Sequence, residues 1–207
     1  MKKYLRIMII PLLAIIIGIA IYWFFLDDQS ANKEPKIKPP KIINEIKEYG
    51  YKLDENQTPY YKSLFEDLKT ELSKEEIDEQ KYAELVAKMF IADFYTLENK
   101  VTKNDIGGTI FIYSKYRDNF IAKAKDTIYK YVENNIYGDR TQELPNVKEI
   151  EVLTIKPKTY TYSDKTKDSK AYEITLKWSY EVDLGYETET KMTIVHEDNK
   201  LVIAEID

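Results

Sequence analysis

Few side chains in this sequence can do acid–base or metal chemistry. Among 207 residues there is one histidine, His196, and no cysteine. That excludes disulfides, thiolate zinc sites, a cysteine nucleophile, a lipidated N-terminal cysteine and most histidine-based metal sites. His196 stands beside Glu197-Asp198, in what reads as a hairpin turn. A general acid or base needs burial and an oriented partner to tune its pKa. The local sequence signals neither, so an exposed turn residue is expected. Asp164, Thr166 and Asp168 imitate the start of a calcium loop, but Ser169 replaces the glycine of its sixth position and Thr175 the glutamate of its twelfth. A plain hairpin loop is the expectation there. Glu75, Glu76, Asp78 and Glu79 fall in the first turn of a helix, where carboxylates suit the dipole. Asn56-Gln57-Thr58 fits a glycosylation acceptor, yet Thr58 already has a role as a helix cap. There is no phosphate loop, no Gly-x-Ser-x-Gly and no His-Glu-x-x-His. No catalytic residue, metal ligand or cofactor site is assigned.

Binding is easier to place than catalysis. The chain holds 18 tyrosines, and Tyr172, Trp178 and Tyr180 share one face of a strand. Such rings can line an apolar pocket with polar tips. They can equally be core packing.

The elements that position these residues follow from pattern. Thr58-Pro59 is an N-cap followed by proline at the first helical position. Tyr61, Leu64, Phe65, Leu68 and Leu72 then keep helical spacing, which predicts a helix over 59–72. Ser73 and Glu76 read as a capping box for a second helix over about 74–98. Gly107-Gly108 marks an unusual turn. Tyr116, Phe120, Ile121, Ala124, Ile128, Tyr131 and Val132 predict a third helix over about 115–135. Val147–Ile155 reads as a strand, interrupted at Pro157 and resumed through Tyr162, and 163–169 as a polar loop. Residues 172–184 alternate apolar and polar without a break, which predicts a long strand with one wet face. Strands over 186–195 and 201–206 follow, joined by a turn at Glu197-Asp198-Asn199-Lys200.

Helices first and antiparallel strands after predict an α+β fold with helices packed on a curved antiparallel sheet. That order, and the closing Lys191-Met-Thr-Ile-Val-His-Glu-Asp-Asn-Lys-Leu-Val-Ile-Ala-Glu-Ile206 hairpin, resembles the nuclear transport factor two-like superfamily over roughly residues 75–207. The resemblance implies a cone of sheet wrapped around helices. With an N-terminal anchor, it is also similar to the inner-membrane scaffold subunits of type IV secretion and conjugation machines. This chain differs from them in a very short tail before the anchor and in the added helix at 59–72.

The anchor is the strongest single signal. Ile7 to Leu26 carry no charge, and 20 helical residues at about 1.5 Å each span roughly the 30 Å of bilayer hydrocarbon. Lys2, Lys3 and Arg6 precede the run and Asp27 and Asp28 follow it. The positive-inside rule predicts a cytoplasmic N-terminus and an extracytoplasmic remainder. A cleaved signal peptide would have a shorter apolar region and a small-x-small site; here the run ends in Tyr22-Trp23-Phe24-Phe25-Leu26. The expected organisation is a short tail and anchor over 1–28, a Lys/Pro-rich linker over 29–41 and a domain over 42–207. The linker holds Pro35, Pro39 and Pro40 and reads as an extended spacer.

The formal net charge is −5, with no basic block, which argues against nucleic acid as a partner. The 28 lysines against 3 arginines suggest an AT-rich genome, and a Gram-positive bacterium is the expectation. The first functional expectation is a non-enzymatic, membrane-anchored interaction or scaffold protein of the cell envelope, meeting the lipid bilayer through residues 7–26 and other envelope proteins through its domain. Oligomers fit this reading too. The alternative is a module that binds a small molecule or peptide in the cone. A connected cavity behind Trp178 and Tyr180 would separate the two.

Overall fold

The computed structural model describes residues 40–207 and, before them, Tyr22 alone. The expected anchor and most of the linker lie outside the described residues. Among the described residues no helix is long and apolar enough to cross a membrane.

Pro39–Asp207 form one compact unit, which opens with a feature the sequence reading did not name. Strands β1 (Ile42–Ile46) and β2 (Tyr51–Asp54) make an antiparallel hairpin. Gly50 turns it at φ +71°, a value that favours glycine. Tyr51 is almost fully buried and fastens the hairpin: its hydroxyl meets the Tyr82 hydroxyl at 2.8 Å and donates to the Leu201 carbonyl at 3.3 Å.

Helix α1 spans Pro59–Leu72, as the spacing predicts, and the Thr58 side chain accepts from the Tyr61 amide. Helix α2 spans Glu79–Phe94, later in its start than 74 and earlier in its end than 98. The cause is local. Ser73 closes α1, its amide bonding to the Lys69 carbonyl, so it is not free to open the next helix. Asp78 is the true cap and accepts from the Lys81 amide. The Asp78 amide in turn donates to the buried Glu71 carboxylate. A 3₁₀ turn over Thr109–Phe111 leads to α3, Ser114–Asp126, which stops well short of 135. Thr127 breaks it, with φ −118° and ψ −103°.

Four strands follow as an antiparallel meander in the order β3-β4-β5-β6: β3 Val147–Thr161, β4 Lys167–Tyr180, β5 Glu189–Glu197 and β6 Lys200–Ile206. Pro157 does not interrupt β3. It pairs opposite Tyr172 on the edge strand, where a missing amide is tolerated. β4 begins at Lys167 rather than after the polar loop, and it ends at Tyr180 rather than Leu184.

The class is therefore α+β: among the described residues 40–207, three α-helices, a two-stranded hairpin and a four-stranded antiparallel sheet. The main core lies between α1, α2 and the inward residues of the sheet. Phe65, Leu68, Val86, Met89 and Phe90 meet Ile174, Leu176, Met192 and Ile194, all fully or almost fully buried. Burying each such side chain contributes about 1.5–3 kcal/mol.

One buried polar knot locks the helices to the turn before α3. The Asp93 carboxylate accepts from Lys100 Nζ at 2.6 Å, the Gly108 amide at 2.7 Å and Gln57 Nε2 at 3.1 Å. A Cβ on Gly107 would stand 2.4 Å from the Asp93 carbonyl oxygen. The glycine pair is there because this loop presses directly on α2.

Candidate functional site: an apolar cleft between α3 and β6

Helix α3 shows where function is to be sought. Its apolar stripe has the spacing of a core-facing helix, yet only Ala124 in it is buried. Tyr116, Phe120 and Ile128 are partly exposed, and Tyr131 just beyond the helix is 73% exposed. An apolar stripe left this open faces either a partner or a void.

It faces a cleft of about 670 Å³, within the range of about 300–1,000 Å³ usual for ligand sites. α3 and the segment after it form one wall, with Tyr116, Phe120, Ala124 and Ile128. Phe94 and Tyr95, at the end of α2, form the floor. Phe94 stacks on Phe90 at 5.2 Å and packs at a tilt against Phe120 at 5.0 Å and Tyr129 at 5.4 Å, which fixes its ring. Ile203, Ala204, Ile206 and Asp207 line the opposite wall, and Tyr186 and Glu187, between β4 and β5, close one end.

Two contacts open this wedge. At its apex the Tyr113 amide donates to the Ile203 carbonyl at 2.9 Å, so the chain touches the edge of β6 once and then leaves as α3. The Glu197 carboxylate accepts from the Ser114 amide at 3.1 Å and from the Ser114 hydroxyl, which seats the helix's N-terminus on the β5–β6 turn.

Tyr95 is the polar floor of the cleft. Burial pushes its hydroxyl pKa well up, and the Glu187 carboxylate beside it adds to the rise. The group stays protonated and donates to Glu187 Oε2 at 3.4 Å.

None of Tyr172, Trp178 and Tyr180 lines the cleft. Trp178 is buried one layer behind it, its ring 4.6 Å from that of Tyr95. Tyr180 donates to the Glu187 carbonyl at 2.8 Å and packs on Tyr186 at 6.3 Å. Tyr172 lies farther along β4, opposite Ile194. Trp178 and Tyr180 thus back the rings that do line the cleft, Tyr95 and Tyr186. Sequence reasoning did not single out those two: it placed Tyr95 inside a helix running to 98 and Tyr186 at the start of a strand, whereas the helix ends at Phe94 and β5 starts only at Glu189. Tyr116, Phe120 and Ile128 were visible as a stripe but not as an uncovered one.

His196 differs from its expectation. It lies in β5, not in the turn, and its side chain is one-third exposed. Asp168 Oδ2 accepts from the His196 amide at 2.8 Å and stands 2.9 Å from Nδ1, so an oriented partner exists. Those hydrogen bonds outweigh the desolvation of Asp168 and hold its carboxyl below the usual range. The other ring nitrogen, Nε2, faces Glu79 Oε1 at 3.6 Å beside a hollow of about 160 Å³. This is a tie between α2, β4 and β5, since what faces Nε2 is a second carboxylate rather than a hydroxyl to activate. Asp164 accepts from the Thr166 amide and hydroxyl, at 3.0 and 2.6 Å, and turns the hairpin. Among the described residues no group of three His, Cys, Asp or Glu is placed to hold a metal ion.

No family model, curated protein or solved structure matches this chain.

Proposed function

We propose that this chain is a membrane-anchored, non-enzymatic binding module of the bacterial envelope, and that it seats an apolar ligand in the cleft between α3 and β6. The observation that carries the reading is the half-covered stripe of α3 over a space of about 670 Å³. At about 25 cal/mol per Å², leaving those rings in water forgoes stabilisation that an occupant restores. The uncharged run Ile7–Leu26 supports the anchor, and the charges flanking it support an extracytoplasmic domain. Helices followed by an antiparallel meander, with a hollow between them, accord with the resemblance to the cone-shaped superfamily.

Binding is favoured over chemistry because the Asp168–His196 pair does not line the cleft. The scaffold reading expects a sheet surface or an exposed helix to meet another envelope protein; one further form of it, pairing through the β3 edge, has less behind it. β3 offers a 15-residue edge with Leu153 exposed, but Lys148, Glu149, Glu151, Lys156, Pro157 and Lys158 guard it. Charges and proline on an edge strand disfavour strand addition.

Two tyrosines make a matched test. Tyr131 and Tyr137 are 73% and 75% exposed in the same stretch, but only Tyr131 lines the cleft. Benzoylphenylalanine placed at Tyr131 and irradiated in intact cells is expected to give a discrete adduct, and at Tyr137 none. Adducts at Tyr137 alone would reject the cleft.

A further inference from the structure

We infer that the occupant of the cleft is an extended, basic, apolar peptide, added as a short strand to the outer edge of β6; this rests on the cleft reading above. Three observations converge. First, β6 is the last strand of its sheet, and the only rung on its outer edge among the described residues is the parallel bridge Ile112–Ile203. That single rung shows that the edge accepts a backbone partner at Ile203. The chain then turns away into α3 at Ser114, so the edge beyond Ile203 is left to the cleft.

Second, the hydrogen bonds of β6 point the right way. The Asp207 amide bonds inward, to the Lys191 carbonyl on β5. Alternation in an antiparallel ladder then turns the amide and carbonyl of Ile206, opposite Met192, outward. Consecutive residues Ile203 and Ala204, and Ile206 and Asp207, line the same cleft. A bulge leaves Ala204 without a partner between Ile203, opposite Ile194, and Glu205, opposite Thr193, and Asp207 follows the end of β6, so the cleft meets β6 along its irregular outer edge, where Ile206 offers the free rung. A peptide pairing there would place alternate side chains against Phe120, Ile128 and Tyr131 of the facing wall. Main-chain bonds would supply affinity and the apolar wall the preference for side chains.

Third, the lining is acidic. It carries Glu187, Glu189 and Asp207 against Lys123. Asp207 is neutralised by Lys191 at 3.0 Å, and Glu189 stands opposite Lys177 in the ladder. Lys123 lies in the last turn of α3, where the helix's carbonyl end balances a cation. Glu187 remains, exposed and beside the tyrosine floor, as the carboxylate offered to a ligand. A lysine or arginine at one end of the peptide complements it, and the surrounding rings favour the same charge.

The test uses the full chain in lipid nanodiscs and a random linear dodecapeptide phage library, with empty nanodiscs for subtraction. Enriched peptides are expected to alternate apolar residues and to carry Lys or Arg. Methylating the backbone nitrogens on one alternate set of a synthetic copy is expected to weaken binding at least tenfold, and the other set to have little effect. Glu187→Lys is expected to weaken it similarly. Affinity indifferent to backbone methylation on both sets would overturn the strand pairing, and enrichment of acidic peptides would overturn the charge assignment. No enrichment, together with a Tyr131 adduct that is not a peptide, rejects the peptide and leaves the cleft. The absence of both removes the cleft reading as well.

Discussion

Asp93 is the residue on which the position of the cleft floor depends. It is buried on α2, one residue before Phe94, and its carboxylate joins Lys100, Gln57 and the Gly108 amide. Burial alone would raise its pKa. The Lys100 ammonium and the hydrogen bonds from Lys100, Gly108 and Gln57 win, and the carboxyl is held below its ordinary value. Asp93→Asn is expected to cost about 3 kcal/mol, because it leaves Lys100 buried without its counter-charge. The folded state binds this proton less readily than the unfolded chain. The contribution of Asp93 is therefore complete above the unfolded value of about 4 and fades as pH falls through the lower folded value. Urea melts of the parent and Asp93→Asn between pH 7 and pH 3 should show the gap narrowing only at the acid end. A constant gap would contradict the pairing. Nothing in the sequence pairs Asp93 with Lys100: the partners are seven residues apart, across the end of a helix.

At the scale of elements, much of the fold was legible. α1 was read to the residue, because Thr58-Pro59 is a start signal and its apolar positions face one core. The inward residues of β4 were legible for the same reason, as Ile174, Leu176 and Trp178 alternate into the core. What failed was what depends on contacts distant in sequence. Ser73 looks like a cap but is used as the end of α1, and Asp78 is identified only by its partners. The β1–β2 hairpin has short strands with a weak pattern, and Tyr51 is held by Tyr82 and Leu201. The start of α3 also depends on a remote group. Its first residue, Ser114, bonds to Glu197, 83 residues away. Glu197→Ala is expected to lower stability by about 1 kcal/mol, the usual cost of a lost cap. That corresponds to a thermal midpoint lower by about 2–4 °C in a chain of this size. An unchanged midpoint would mean that α3 is positioned otherwise.

At the scale of the whole molecule, the proposed site is a space that no single element encloses. α3, the end of α2, the β4–β5 connection and β6 each supply part of the cleft. No fixed spacing joins them, so the site could not be read as a motif. The stripe on α3 was its one visible trace, and burial alone tells an apolar stripe that faces a core from one that faces a cleft. The central claim is that an occupant fills this space in the cell. Ile206→Trp tests it most directly, used together with benzoylphenylalanine at Tyr131. Ile206 is partly exposed at the end of β6 and lines the cleft, and tryptophan is well accepted in strands. The larger ring should narrow the cleft and crowd an occupant there, so the Tyr131 adduct is expected to weaken while the thermal midpoint holds. An adduct of undiminished yield in the Ile206→Trp chain would contradict the claim.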